Sequence, residues 1–593
     1  MPLSQSPEIP NFRQSIVFLS ELWYNLSNLP VSAKFRYEKK EITMKTKTIC
    51  NPINVNYQYQ SPMRSRESAD PAVVLYKDEY YLFASHGSGY WVSPDLANWE
   101  FIEVDLEKQP EFSLFAPGPV VMGDRIYITH CQGGSILYSD NPRDPDSWIN
   151  AGRPYYWDDP ALFVDDDGSL YCYEGLSPVH PLHACKLDPQ DPSKVLEGPV
   201  DIFQSDRDTR GFERVGDINE VEGGRTHLEG PWMSKINGKY YLTYAVPGTE
   251  YAGYCDGCAV SDSPMGPFTY CENSPVVYKA TGFMRGAGHG CLFADKNGHY
   301  WKMDTVAVSV NHIFERRLCL FPAKVENGFI YTNTYRGDYP QLLPHEVNDP
   351  FTDSDAGWHL LSLHKTAKAS SSLDENHTPA KAFDENLRTW WSAETGSAGE
   401  WLWTDLGKAY EVCAVQINFA DQDVEAVGGR GHGYAYRYTL EASEDGKDWT
   451  TIIDRRAGTD DLPHDYTELE QPTTLRYLKL TNHGDTPAGG KFAVSGLRVF
   501  GYGGGEAPKT APHFTAIRCE DTRNMTVKWD PVEGAQGYII RWGIDPNQLH
   551  THWQVIGDTE ATVYCLTKGV SYFVTVDAYN ESGVTRGTKP QKI

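Results

Sequence analysis

One short pattern returns five times between residues 70 and 340: a turn of Asp, Asn or Gly, followed by a strand-like run that contains an aromatic residue, usually Tyr. Asn-Gly and Asp-Gly turns between apolar runs are the strongest short-range signal of a β-hairpin. The turns are 44 to 70 residues apart, a spacing that fits one four-stranded blade with loops of variable length. Helical periodicity is nearly absent here, so the repeat predicts an all-β, five-bladed β-propeller. The turn segments begin at Lys77, Gly123, Asp167, Asn237 and Asn297.

Carboxylates stand at the start of strands in this repeat. Asp70 and Asp159 each precede a proline and an apolar run, and Glu229 stands two residues before Pro231. Because the innermost strands of a propeller line its central channel, we expect the three acids to meet in one funnel. A single Asp before Pro is most often a turn residue, but two in the same position of the repeat, together with Glu229, favour catalysis. Converging acids suit general acid/base chemistry on a glycosidic bond.

Composition narrows the classes of function. The chain of 593 residues is too long for one hydrophobic core, so three or more domains are expected. Its net charge of -27 argues against nucleic acid or an anionic membrane as the main partner, and no apolar run is long enough for a membrane span. The 12 cysteines follow no disulfide or zinc spacing, and Cys255 and Cys258 lack a second pair.

Residues 1–57 are predicted to be an amino-terminal extension with little order. Residues 1–43 contain no basic-then-apolar export signal, and Met44 resembles a natural start of the chain. The segment therefore does not enter the fold prediction. Localisation stays open, because a polymeric substrate points outside the cytoplasm while no export signal is visible.

With these motifs in place, residues 58–345 resemble glycoside hydrolase family 43, a family of inverting enzymes with a five-bladed propeller. The resemblance implies that Asp70 is the general base and Glu229 the general acid. It implies that Asp159 is a third carboxylate, which orients the acid and tunes its pKa. His289, between two glycines, matches a central histidine that can contact a calcium ion or a water cluster, although no cofactor is required.

Further candidates for substrate binding come from aromatic and basic residues of the same region. Trp91, with its neighbour Tyr90, Phe115 and Trp232 can stack against a sugar ring, and Arg316 or Arg317 can bind sugar hydroxyls from the last blade. Packing between blades is an equally good explanation for each. The family commonly has Trp-Ala-Pro where this chain has Phe115, Ala116 and Pro117, so the sugar and the linkage stay open.

Two smaller modules follow the propeller. Residues 346–502 resemble the discoidin (coagulation factor type C) β-sandwich, a fold that includes family 32 carbohydrate-binding modules. Residues 506–593, after the Gly503–Gly505 linker, resemble a fibronectin type III β-sandwich. The discoidin-like module is expected either to bind sugar or to act as a structural lid, and the last module to act as a spacer.

The resemblance implies an inverting, exo-acting glycosidase, an α-L-arabinofuranosidase or a β-xylosidase, that acts on plant polysaccharide or oligosaccharide. One alternative is an exo-galactanase or another glycosidase of the same fold. The other is a non-catalytic carbohydrate-binding protein, against which the presence of all three acids argues. Carbohydrate is the expected partner, and the oligomeric state is not predicted.

Overall fold

The structure is a computed structural model that describes residues 46–60, 64–425 and 434–593. Most of the predicted amino-terminal extension, residues 1–45, lies outside the described residues. The described chain is almost entirely β, and none of its helices is long and apolar enough to cross a membrane. The α-helix and the 3-10 helices of these ranges are Pro350–Asp353, Pro110–Phe112, Pro145–Ser147, Gly211–Glu213, Pro379–Phe383 and Pro487–Gly489.

Residues 46–57, which the prediction counted in the extension, are part of the folded protein. Strand β1 (Thr48–Ile49) pairs antiparallel with Gln341–Leu342, at the far end of the propeller region. The buried Asn51 amide donates hydrogen bonds to the carbonyl oxygens of Leu320 and Gly337, each 2.8 Å long. Burial of Ile53, Val55 and Tyr57 explains why this segment is ordered. Strands β2 (Gln58–Gln60) and β3 (Ser65–Glu67) then form a small hairpin.

Five antiparallel sheets of four strands make up the next part of the chain. The first strands of consecutive sheets contact one another, and the first strand of the fifth sheet contacts that of the first, so the ring closes. The all-β, five-bladed fold class is thereby confirmed. The strands are β4 (Ala72–Tyr76), β5 (Glu79–Phe83), β6 (Gly89–Ser93), β7 (Glu100–Glu103), β8 (Gly118–Met122), β9 (Arg125–Thr129), β10 (Leu137–Ser139), β11 (Ile149–Asn150), β12 (Ala161–Val164), β13 (Leu170–Glu174), β14 (Leu182–Asp188), β15 (Asp191–Phe203), β16 (Glu229–Ile236), β17 (Lys239–Val246), β18 (Cys255–Ser261), β19 (Thr269–Tyr270), β20 (Gly288–Ala294), β21 (Tyr300–Ala307), β22 (Arg316–Glu326) and β23 (Phe329–Thr332).

Each predicted turn joins the first two strands of a blade. Between β16 and β17, Asn237 and Gly238 have φ values of 52° and 76°. Two left-handed residues in succession make the tight hairpin whose twist matches that of the paired strands, and Asn and Gly adopt this conformation at least cost. The aromatic residues that follow the turns pack between neighbouring blades, as Tyr80 and Trp301 do in one shared core. The repeat therefore encodes both the turn and the packing between blades.

The second module is built on one eight-stranded sheet. Its two longest strands, Trp401–Phe419 and His464–Asn482, pair with each other. Shifts in their register allow the first of them to pair with Thr366–Ala369 near one end and with Ala493–Tyr502 near the other. Its core is rich in Leu, Val, Phe and Trp. The strands from the end of the propeller onward are β24 (Gln341–Leu342), β25 (His359–Leu360), β26 (Thr366–Ala369), β27 (Trp391–Ser392), β28 (Trp401–Phe419), β29 (Tyr438–Ser443), β30 (Thr450–Asp454), β31 (His464–Asn482) and β32 (Ala493–Tyr502).

The third module has one sheet of three strands and one of five. Its buried side chains, such as Trp529 and Tyr538, belong to the same hydrophobic cluster as Tyr244 of the fourth blade. Backbone hydrogen bonds join Gly211 to Leu566, so the module is fixed to the propeller. Its strands are β33 (Phe514–Arg518), β34 (Met525–Trp529), β35 (Gly537–Gly543), β36 (Thr551–Ile556), β37 (Glu560–Val563), β38 (Phe573–Asn580), β39 (Gly583–Thr585) and β40 (Gln591–Lys592).

Candidate active site

All five blades begin with the same backbone conformation at the propeller axis. One residue at or just before each innermost strand has a φ between 44° and 56°, in the left-handed region, and four of the five are followed by proline. Left-handed backbone costs about 1–2 kcal/mol for a residue other than glycine and is concentrated at functional sites. The five residues line one narrow axial cavity, and they are Asp70, Ala116, Asp159, Gly230 and His289.

Asp70 is buried among groups that favour its ionised form. The Ser85 hydroxyl donates a hydrogen bond to Asp70 Oδ2, and Arg316 Nη1 lies 3.2 Å from Asp70 Oδ1. The Asp70 backbone N–H donates to Thr305 Oγ1 at 2.8 Å, which fixes the turn. Burial works against ionisation, but Arg316, His289 and Ser85 together hold the pKa of Asp70 below its usual value. Asp70 is therefore ionised at neutral pH, as a general base requires.

Glu229, the first residue of β16, has the opposite surroundings. It is 8% exposed, and the Tyr254 hydroxyl donates a hydrogen bond to its Oε1. Burial, followed by the negative charge of Asp159, raises the pKa of Glu229 to about 8. A carboxyl group that keeps its proton at neutral pH can donate it, as a general acid does.

Asp159 is the third buried carboxyl of the site. The Cys131 thiol donates a hydrogen bond of 3.4 Å to Oδ1 of the adjacent Asp158, and both Cys131 and the Gly230 backbone N–H favour the ionised form of Asp159. Burial and the charge of Asp70 raise the pKa of Asp159, as burial and Asp159 raise that of Glu229. Because a negative charge on Asp159 opposes ionisation of Glu229, the two carboxyls titrate as a coupled pair.

His289 joins the acids. Its Nδ1 lies 3.4 Å from Asp70 Oδ1 and 3.8 Å from Asp159 Oδ2, and its backbone N–H donates to Asp256 Oδ1 at 2.9 Å. Calcium binds about six to eight oxygen ligands at roughly 2.3–2.6 Å. Across residues 46–60, 64–425 and 434–593 no group of three or more His, Cys, Asp or Glu side chains is arranged to hold a metal ion. No step below uses a metal.

The predicted stacking residues separate into two groups. Trp91 is 1% exposed and Tyr90 is fully buried, both within hydrophobic cores between blades, so neither can meet a sugar. Their strand β6 is the third of its blade, and both faces of that strand are covered by neighbours. Phe115 and Trp232 are half-buried near the axis; Phe115 precedes Ala116, and Trp232 lines the axial cavity.

The two arginines of the last blade also differ from the prediction. Arg316 is 3% exposed and contacts the carboxyl of Asp70, so it serves the base rather than an open sugar subsite. Arg317, on the other side of β22, is hydrogen-bonded to His464 of the second module and does not face the acids.

Several groups around the acids were not predicted from the sequence. Ser85 contacts Asp70, Tyr254 contacts Glu229, and Cys131 contacts Asp158 next to Asp159. Each of the three lies in the connection after the second strand of its blade. Their position in the repeat is a usable signal, because those connections lie on the same side of the propeller as the acids. No such signal marks the buried ion group of Lys302, Asp256 and Asp304, in which Asp256 accepts a hydrogen bond from the His289 backbone N–H.

A low-pKa and a high-pKa carboxyl at the axis of a five-bladed propeller are typical of glycoside hydrolases that work by paired acid/base catalysis. The sequence profile of glycosyl hydrolases family 43 matches residues 59–330, and that of the F5/8 type C domain matches residues 366–494. A xylosidase/arabinosidase 43A from Humicola insolens is 38% identical in an alignment of 268 residues that includes gaps; the match covers 34% of this chain and 78% of that protein. The chain belongs to glycosyl hydrolases family 43.

Other similar proteins are more distant. An arabinoxylan arabinofuranohydrolase from Paenibacillus polymyxa is 28% identical over 208 residues, 30% of this chain and 29% of that protein. The chain spans less than half the length of the first curated relatives it matches. A solved structure described as a glycoside hydrolase has 20% identity and a TM-score of 0.43, covering 74% of this chain and 99% of that one.

Proposed function

We propose that this protein is an inverting, exo-acting glycosidase that releases arabinose or xylose from plant polysaccharide or oligosaccharide. The observation that carries the proposal is the opposite surroundings of two buried carboxyls in one axial site: the Ser85 hydroxyl and the Arg316 guanidinium contact Asp70, whereas Glu229 is buried near the carboxyl of Asp159. Membership of family 43 supports the reaction class.

The proposed reaction is a single displacement. Asp70 takes a proton from a water molecule, which attacks the anomeric carbon as Glu229 protonates the leaving oxygen. Inverting catalysis predicts a separation of about 6.5–9.5 Å between the two carboxyls, which leaves room for that water. The negative charge of Asp159 opposes ionisation of Glu229 and so helps Glu229 to keep its proton.

The choice of sugar rests on the relatives. The proteins named xylosidase/arabinosidase and arabinoxylan arabinofuranohydrolase suggest a terminal pentose as the group released. Phe115 is half-buried next to Ala116, the left-handed position of blade 2, and its ring offers an apolar surface for a sugar ring.

The test is product analysis on arabinan, arabinoxylan, arabinogalactan and short xylo-oligosaccharides. We expect arabinose or xylose as the sole small product, and NMR of the first turnover should show inversion at the anomeric carbon. Asp70→Asn is the control, since it should release product at least about 100-fold more slowly at the same protein concentration. Galactose as the product would support the exo-galactanase alternative, and glycan binding without any product would overturn the enzymatic proposal.

Three further assignments belong to the proposal. The reaction is proposed to need no metal ion, so activity should be unchanged after treatment with a chelator, and loss of activity would contradict this. The third module is proposed to be a fibronectin type III-like spacer, in line with its sheets of three and five strands. Glycan binding by the second module is a separate question, which a binding assay with the Asp70→Asn protein would answer.

A further inference from the structure

Two short strand segments separate the active site from the second module. Strand β3 contains Arg66 and Glu67, and β22 begins with Arg316 and Arg317. The segments are in contact: the Ser68 N–H reaches the Arg316 carbonyl at 3.4 Å, and Arg317 Nη1 donates to the Arg66 carbonyl. Because side chains alternate along a strand, Glu67 and Arg316 point toward the active site, whereas their neighbours Arg66 and Arg317 point toward the second module.

On the active-site side, Glu67 and Arg316 form a buried pair behind the base. Arg316 Nε donates to Glu67 Oε1 at 2.9 Å, and its Nη1 reaches Asp70 Oδ1 at 3.2 Å. Glu67 is fully buried, and Arg316 and Asp70 are 3% and 4% exposed. The position of the Arg316 guanidinium therefore decides how strongly Asp70 is held in its ionised form.

On the other side, the neighbours of these residues are held by the second module. Arg66 forms ion pairs with Asp421 and with Asp461, whose Oδ1 lies 2.9 Å from Arg66 Nη2. Arg317 Nε donates to His464 Nε2 at 2.9 Å. Arg66, Asp421 and Asp461 have no exposed side-chain surface, so these charges are desolvated.

A buried ionic contact of this kind fixes its partners in place more than it adds stability. Removing one partner leaves an uncompensated charge, and the strands that carry it must shift. Arg66 is the chain neighbour of Glu67, and Arg317 is the chain neighbour of Arg316. A shift of either strand therefore moves Glu67 or Arg316 relative to Asp70. Displacements of about 1 Å in such groups can lower a rate by roughly 100-fold.

We propose that the discoidin-like module is a positioning element for the catalytic base. Its Asp421, Asp461 and His464 hold Arg66 and Arg317, and through the two strands they hold Glu67 and Arg316 against Asp70. This inference rests on the proposed function of Asp70 and assigns the module a part in catalysis without any glycan contact.

The test is the pH dependence of kcat/KM for Asp461→Asn in the full chain. We expect the acidic limb, which reports ionisation of Asp70, to move to higher pH by about one unit, and kcat to fall about 10-fold or more with little change in KM. His464→Gln, which removes no charge, is the milder second variant and should move the limb in the same direction.

Glu385→Gln is the matched control. Glu385 is equally buried, pairs with Arg498 within the same module, and is not adjacent to β3 or to the start of β22. It should lower the melting temperature without moving the acidic limb. If Asp461→Asn and His464→Gln fold but keep the wild-type limb, or if Glu385→Gln moves it equally, the inference is wrong. Retained activity in Asp70→Asn would instead overturn the proposed function itself.

Discussion

Blades 1 and 4 each place a buried carboxyl at the propeller axis, and their surroundings have opposite effects. Asp70 of blade 1 is met by Arg316, His289 and the Ser85 hydroxyl, which stabilise a negative charge. Glu229 of blade 4 is buried near a second carboxyl, Asp159, and both burial and that carboxyl oppose a negative charge on Glu229. Chemically similar side chains thus become a base and an acid because of what the neighbouring loops supply, and each prediction below tests one part of that difference.

The largest effect should come from removing the two carboxyls in turn. Asp70→Asn and Glu229→Gln should each lower kcat on oligosaccharides by about 10²- to 10⁴-fold. An aryl glycoside with a good leaving group needs no proton from the enzyme, so it should restore most of the rate of Glu229→Gln and none of that of Asp70→Asn. Steady-state kinetics on both substrates measures this. Equal recovery in the two variants would mean that the acid and base roles are wrongly divided.

Arg316→Gln should make the surroundings of Asp70 in blade 1 more like those of Glu229 in blade 4. Without the guanidinium, burial dominates and the pKa of Asp70 rises, so the acidic limb of kcat/KM should move to higher pH. Glu67 would be left buried without its cation, and the free energy of unfolding should fall by about 3–5 kcal/mol. Arg143→Gln, which breaks surface ion pairs, is the control and should cost no more than about 1 kcal/mol in denaturant unfolding.

Gly230→Ala should disturb the close packing of Gly230 against His289. A Cβ at this position would lie 2.5 Å from Cδ2 of His289, the residue that joins Asp70 to Asp159. We expect a loss of stability of about 1–3 kcal/mol and a roughly 10-fold lower kcat. Gly238→Ala, also left-handed but with no atom within 4 Å of the new Cβ, should cost only about 1 kcal/mol and leave kcat unchanged. Thermal unfolding and kinetics that fail to separate the two variants would contradict the close packing.

The smallest effect should be on the alkaline limb of the pH profile. Glu229 acts only when protonated, so activity should fall as the pH rises through about 8. Asp159→Asn removes a negative charge from its surroundings and should move this limb to lower pH. Because folding raises the pKa of Glu229 from 4.5 to about 8, stability should fall as the pH rises between these two values, and Glu229→Gln, which has no such loss, should gain stability relative to the wild type across that range. An alkaline limb that stays in place in Asp159→Asn would assign the proton elsewhere.

The blades and their acids could be predicted because they rest on local signals. A turn and the alternation of a strand are properties of a few consecutive residues, and Asp70 and Asp159 occupy the same place in the repeat. The fate of Trp91 could not be predicted in this way. An aromatic residue near a site motif looks the same in sequence whether its face of the strand points to the axis or to the next blade.

Contacts between distant segments were out of reach for the same reason. Arg66 and Asp421 are 355 residues apart in the chain, and no spacing rule connects them. The burial of residues 46–57 likewise depends on partners near the end of the propeller, such as Gln341–Leu342. The prediction that Arg316 binds sugar hydroxyls placed it in the right blade, but could not show that Glu67 and Asp70 occupy its guanidinium.

The repeated left-handed turn gives the five axial positions interchangeable geometry. Two of them carry acids, one an imidazole, and one a glycine that leaves room for His289, while Ala116 carries no functional group. Side-chain identity at these positions of one common shape thus decides part of the reactivity in this pore, and Glu229 supplies the acid from the residue before the glycine. A change of chemistry would need single substitutions at these axial positions rather than a new scaffold. Ala116 is the position where a functional side chain could be introduced without replacing an acid, the imidazole or the glycine.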